Sequence, residues 1–175
     1  MPLVFQYGSN TLESRLNAAN RLRGHADDRG AACTVDDYDI AFDVWSQTNR
    51  CAASDLIRTP GRKAWGVLYE IAEEFIQELC RIEGKRYAQT TIRVLNREGQ
   101  EVDAMTFLVR ENQRITNTAT SFEYVSCIVQ GLRDHGAPNE YVEHVIAVAV
   151  ENTECAGNAA TEQTQLIKAL SKQLD

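Results

Sequence analysis

Residues Phe5 to Asn10 read FQYGSN and close a short apolar run, Leu3, Val4 and Phe5. The pattern puts a glycine, a hydroxyl and a carboxamide where a strand passes into a helix, which is a place for binding an anion. Gly8 admits a turn with φ > 0 and a close approach of the main chain to a ligand. Ser9 and Asn10 are residue types that cap a helix start and leave unpaired N–H groups pointing outward. With the positive end of a helix dipole behind them, such groups favour a carboxylate, a phosphate or a developing oxyanion. An ordinary N-capped turn has the same local pattern, so a second chemical group is needed to define a site.

That group is offered by RIEGKRY, where Glu83 stands directly before Gly84 and four residues before Tyr87. A glutamate at a helix C-terminus sits at the negative end of the dipole, which raises its proton affinity and costs about a few tenths of a kcal/mol when exposed. Burial by neighbours such as Tyr7, Tyr87 and Trp65 would raise its pKa further, towards the range of a general acid/base. A solvated glutamate ahead of a C-capping glycine is the plain alternative. Other constellations read as structural. Glu140 and His144, at i and i+4, fit an exposed ion pair, and His25 and His135 lack metal-ligand spacing. Cys80, one turn before Glu83, has no His nearby in sequence and fits a packed thiol better than a nucleophile.

The elements that must position these groups form a mixed α and β order without internal repeats. Leu3 to Tyr7 reads as a strand. Leu12 to Leu22, with Leu12, Leu16 and Ala19 at helical spacing, reads as the helix after the YGSN turn. Ala32 to Trp45 alternates as one bent strand, followed by a loop from Ser46 to Lys63. Ala64 to Ile71 is a buried strand containing Gly66, where a backbone passes closely. Glu73 to Ile82 is a helix with Phe75, Ile76, Leu79 and Ile82 on one stripe. Ala88 to Leu95 and Glu101 to Val109 form a hairpin through Asn96 to Gln100. Ser121 caps a helix that turns Tyr124, Ile128 and Leu132 inward, and Gly136, Ala137 and Pro138 stop it and start the next. That next helix spans Asn139 to about Val150, and Thr161 to Leu174 supplies the last.

Bulk composition restricts the class of partner. A chain of 175 residues, 43% hydrophobic and 25% charged, fits one domain that buries roughly two thirds of its unfolded surface. A net charge of −7 argues against nucleic acid or anionic lipid as the main partner. The basic cluster Arg58, Arg62 and Lys63 is broken by Thr59, Pro60 and Gly61 and reads as a solvated loop. Five scattered cysteines without a CxxC fit reduced thiols. MPLVFQYGSN has neither a basic n-region nor a long apolar h-region, and no window approaches 18 apolar residues, so cytoplasm is the expected location and no membrane span is expected.

Taken in order, FQYGSNTLESRL, AWGVLYEI, ELCRIEGKRYAQTTIRV, AMTFLV and YVSCIVQGLRDHGAPNEYVEHV resemble the gamma-glutamylcyclotransferase-like family over roughly residues 3 to 150. The resemblance implies an α+β fold, a mixed β-barrel flanked by helices, in which the YGSN loop and the glutamate meet in one cavity. It implies a domain over residues 1–150; the tail, 151–175, lies outside the resemblance and is expected to be a C-terminal helical extension of the same domain. It implies intramolecular aminolysis, in which the α-amino group of a γ-glutamyl moiety attacks its own γ-carbonyl, expels an amine and leaves 5-oxoproline. By motif match Glu83 would be the catalytic acid/base. Tyr7, Gly8, Ser9 and Asn10 would bind the substrate through main-chain N–H groups, holding either its α-carboxylate or the oxyanion, and Tyr87 would line the pocket. The partner implied is a small γ-glutamyl molecule, with no cofactor, no metal, no nucleic acid and no membrane, and the protein a monomer or homodimer. Three readings follow: a cyclotransferase for γ-glutamyl amines or amino acids, a pathway-specific enzyme that removes a γ-glutamyl group from a biosynthetic intermediate, and a non-catalytic binder of a small anion. The retained Glu83 speaks against the third. The leaving amine would be read by the loops Ser46 to Lys63 and Glu111 to Thr120.

Overall fold

In the computed structural model, which describes residues 1–157 and 161–174 without the side chains of 173 and 174, five strands close into a barrel. They are β1 (Leu3–Gln6), β5 (Trp65–Ile71), β2 (Ala26–Thr34), β6 (Tyr87–Leu95) and β7 (Glu101–Val109), neighbours in that order. All pairings are antiparallel except the closure, where β1 meets β7 in parallel at Val4 and Met105. A separate hairpin of β3 (Tyr38–Ser46) and β4 (Cys51–Arg58) stands beside the barrel. The helices are α1 (Glu13–Leu16), α2 (Glu73–Glu83), α3 (Phe122–Asp134), α4 (Asn139–Cys155) and α5 (Thr161–Ala169), with a 3-10 turn over Leu170–Leu174. This is the α+β barrel with flanking helices that the family resemblance implies.

Alternation along the strands divides the core. Phe5, Tyr7 and Leu68 face a large cluster shared with the β3–β4 hairpin and α3 to α5. Val4, Val67, Tyr69, Met105 and Phe107 face a second cluster beneath α2, where Leu79 is fully buried. Truncating such a leucine costs about 2–5 kcal/mol. Gly66 behaves as its position suggests: a Cβ there would lie 2.4 Å from Gln6 O and 2.7 Å from the Phe5 ring.

Four expected elements differ. The helix expected over Leu12 to Leu22 is confined to Glu13–Leu16, because the Asn17 carboxamide takes both main-chain groups of Ala26, at 2.9 and 3.0 Å. Leu16 and Leu22 are buried all the same. The single bent strand is two strands, β2 in the barrel and β3 in the hairpin, parted at Val35 to Asp37. The loop expected from Ser46 to Lys63 contains β4, whose residues Cys51 to Leu56 are all buried. The helix after Pro138 runs unbroken past Val150 to Cys155.

Candidate active site

Glu83 is the last residue of α2, and Gly84 ends the helix with φ +87° while its N–H donates to Cys80 O at 3.0 Å. A side chain would be strained in that conformation. The chain then reverses, Tyr87 N–H donating to Gly84 O, and β6 begins at Tyr87. Glu83 is thereby held at the end of a rigid helix, next to the barrel mouth.

On the opposite wall β1 delivers Gln6, and a 3-10 turn, Ser9–Thr11, follows. Gln6 Nε2 donates to Glu83 Oε1 at 3.2 Å and Asn10 Nδ2 donates to the same oxygen at 2.8 Å. Glu83 Oε2 has no hydrogen-bond donor among the described residues. The carboxyl pKa is raised: loss of solvation dominates, and the Asn10 and Gln6 hydrogen bonds and the charges of Arg21 and Arg15 offset only part of it. The residue keeps some surface exposure, yet its carboxyl group sits deep enough for desolvation to prevail.

Gly8 is not in the left-handed region expected of it; its φ of −97° and ψ of −152° are ordinary extended backbone. Glycine is required there for space instead, since a Cβ would lie 2.4 Å from Ser54 Oγ and 3.3 Å from the Tyr124 hydroxyl. The cap expected of Ser9 and Asn10 is absent as well. The turn has no side-chain cap, because Ser9 Oγ accepts from Arg15 Nε at 3.2 Å and Asn10 is committed to Glu83. The turn is clamped from both sides. Tyr69 donates to Thr11 O at 2.9 Å, and α3 lies so close that a Cβ on Gly131 would meet the Thr11 carbonyl carbon at 2.3 Å.

Two tyrosines close the recess by bonding to main chain. Tyr7 Oη donates to Phe107 O at 2.5 Å, and Tyr87 Oη donates to Ser54 O at 2.8 Å. Burial first, and nearby ionisable groups second, push both phenols well above their ordinary pKa, so they remain neutral donors. Tyr124 Oη accepts from Ser54 N–H at 3.1 Å and pairs with Ser54 Oγ at 2.9 Å.

All six residues named from the sequence, Tyr7, Gly8, Ser9, Asn10, Glu83 and Tyr87, border one narrow recess. Trp65, expected against Glu83, lies elsewhere, paired with Cys33 at the start of β5. Gln6, Ser54 and Tyr124 also border the recess and escape a sequence reading. Gln6 precedes the motif, Ser54 lies on the unrecognised strand β4, and Tyr124 looks like an ordinary core position of α3. The recess opens into a cleft of about 820 Å³ that shares Ser9, Asn10, Glu83, Tyr87 and Tyr124 and adds Arg15, Arg21, Lys85 and Arg86. Cys80 is packed, its thiol 3.6 Å from Gln89 Oε1. His144 pairs with Asp39 at 2.7 Å rather than with Glu140. Among the described residues no group of three or more His, Cys, Asp or Glu is arranged to hold a metal ion, and no helix is long and apolar enough to cross a membrane.

The chain matches the AIG2-like family over residues 63–145. It is 27% identical to the mouse (Mus musculus) gamma-glutamylcyclotransferase, over 95% of this chain and 87% of the relative. It is 25% identical to the human (Homo sapiens) protein of that name over the same shares. A solved structure of a gamma-glutamyl cyclotransferase superposes with a TM-score of 0.75 at 25% identity, covering 95% of this chain and 98% of the other. The chain is similar in sequence and in fold to gamma-glutamylcyclotransferases. The α2 terminus and the YGSN turn, far apart in the chain, form opposite walls of one recess.

Proposed function

We propose that the protein is a cyclotransferase that releases 5-oxoproline and a free amine from a γ-glutamyl amine or γ-glutamyl amino acid. The observation that carries this reading is the state of Glu83, with one carboxyl oxygen clamped by two side-chain amides, the other without a partner among the described residues, and a raised pKa. A carboxylate so held is oriented for proton transfer, and a raised pKa brings it closer to the pH at which it must both take and give a proton.

In this reading the γ-glutamyl group folds within the recess so that its α-nitrogen faces its own γ-carbonyl. Glu83 Oε2 takes a proton from the α-ammonium. The freed amine forms the ring C–N bond and the carbonyl becomes a tetrahedral oxyanion; the proton held by Glu83 passes to the leaving nitrogen as the old C–N bond breaks and the carbonyl re-forms, and the ring nitrogen gives up its second proton to the carboxylate so regenerated, leaving the lactam. Nucleophile and electrophile belong to one molecule, so the protein mainly holds the folded conformer, moves a proton and stabilises an anion. The main chain of Gly8, Ser9 and Asn10 serves that anion. Asn10 Oδ1, buried and without a donor among the described residues, would accept from the α-nitrogen. Tyr7 and Tyr87 shape the walls.

The test is release of 5-oxoproline, followed by mass spectrometry, from a panel of γ-glutamyl amino acids, γ-glutamyl amines and glutathione. Release from one or more members is expected. No release from the whole panel, from protein shown to be folded, would contradict the cyclotransferase reading.

A further inference from the structure

The outer cleft has a charge opposite to that of the protein. The chain carries a net −7, yet the cleft is lined by five cationic side chains and a single carboxylate, Glu83. Arg81 is satisfied by Glu78 at 2.6 Å. Arg15, Arg21, Lys85 and Arg86 have no carboxylate within ion-pair distance among the described residues. Surface cations such as Arg62, Arg93 and Arg114 are paired with carboxylates, whereas these four gather around one cleft without such a partner among the described residues.

Two of the uncompensated cations are also held in place. Arg15 donates through Nε to Ser9 Oγ and through Nη2 to Asn49 Oδ1 at 2.9 Å, and Arg86 Nη1 donates to Trp45 O at 2.7 Å. These acceptors are neutral: they fix the guanidinium planes and leave the charge unanswered. Arg21 Nε is buried with no acceptor among the described residues, and burial, followed by repulsion from Arg15, lowers its pKa. A buried guanidinium N–H without a partner is costly, and the group that would relieve it is an anion.

The γ-glutamyl moiety cannot supply enough charge. It brings one α-carboxylate, balanced by its own ammonium, whereas Glu83 offsets only one of the four free cations. Lys85 and Arg86 follow Glu83 on the turn into β6, and Arg15 and Arg21 line the same outer cleft, which in the cyclotransferase reading receives the leaving amine. We propose that the leaving group is itself anionic, an acidic α-amino acid carrying two carboxylates, and that Arg15, Arg21, Lys85 and Arg86 select it over neutral amino acids and simple amines. The proposal rests on the cyclotransferase reading and narrows its substrate class. A field of one sign in a cleft also draws such a substrate towards a protein of like net charge.

The test compares γ-glutamyl-glutamate with γ-glutamyl-glutamine, which match in size and differ by one charge. Two readouts are used: kcat/KM for 5-oxoproline release, and calorimetric binding to the Glu83→Gln variant at low and moderate salt. Expected is a preference of at least about tenfold for the glutamate compound in both, since a charge-assisted hydrogen bond is about twice as strong as a neutral one. The preference should narrow with salt and fall severalfold in Arg86→Gln. Lys85→Gln, at an exposed position, gives a second variant with little risk to folding. Equal kcat/KM or equal binding of the two compounds would overturn the proposal. Tenfold tighter binding of the glutamate compound without turnover of either would retain the anion site and refute the cyclotransferase reading instead.

Discussion

Asn10 and Glu83 stand 73 positions apart in the chain and meet at 2.8 Å, the Asn10 carboxamide donating to Glu83 Oε1. The bond favours the ionised carboxylate against a burial that disfavours it. Asn10→Ala therefore raises the Glu83 pKa further. The acid limb of the kcat/KM profile should move to higher pH, and kcat at neutral pH should fall about tenfold or more as the carboxyl group loses orientation. A pH–rate profile of both proteins checks this.

The same raised pKa has a consequence for stability. A carboxyl that holds its proton more tightly when folded contributes stability fully present below its unfolded pKa and lost as pH rises through its folded one. At neutral pH the ionised Glu83 is thus a net cost. Glu83→Gln should melt at an equal or higher temperature than the parent at pH 7, with the gap closing as pH falls below the ordinary carboxylate range. Melting curves across that range give the sign directly.

Gly8 is needed for room rather than for a special backbone angle. Gly8→Ala drives a Cβ against Ser54 Oγ, and overpacking of this kind costs about 1–3 kcal/mol. Removing the obstacle in Gly8→Ala with Ser54→Ala should recover part of that loss, a positive coupling read by denaturant titration of the four proteins of the cycle. Gly8→Val should raise KM strongly.

Tyr87 borders the recess and is anchored by its hydrogen bond to Ser54 O. Tyr87→Phe removes the donor to Ser54 O and should cost about 0.5–1.5 kcal/mol in stability while changing kcat less than threefold, measured by denaturation and steady-state assay. A phenol that delivered the proton to the leaving amine would give a far larger loss.

Much of this site is legible in the sequence because its parts are local: a strand followed by YGSN, and a helix stopped by Gly84 just after Glu83. The α2 stripe and the β6–β7 hairpin follow from periodicity and turn residues. What is not legible depends on distant contacts. Asn17 ends α1 early because Ala26 lies beside it. Cys51, Ala52 and Ala53 look like loop residues until β3 and α3 bury them. Arg15 and Arg21 look like the solvated face of a long helix, and only the short α1 brings them to the cleft.

The most direct test of Glu83 as the acid/base is turnover by Glu83→Gln on the best substrate found for the parent protein, with binding measured beside it. Glutamine keeps the size and can still accept from Asn10 and Gln6, but it cannot exchange a proton. Loss of at least about a hundredfold in kcat, with binding within a few-fold of the parent, is the expected result. A variant that turns over substrate at near the parent rate would remove Glu83 from the chemistry.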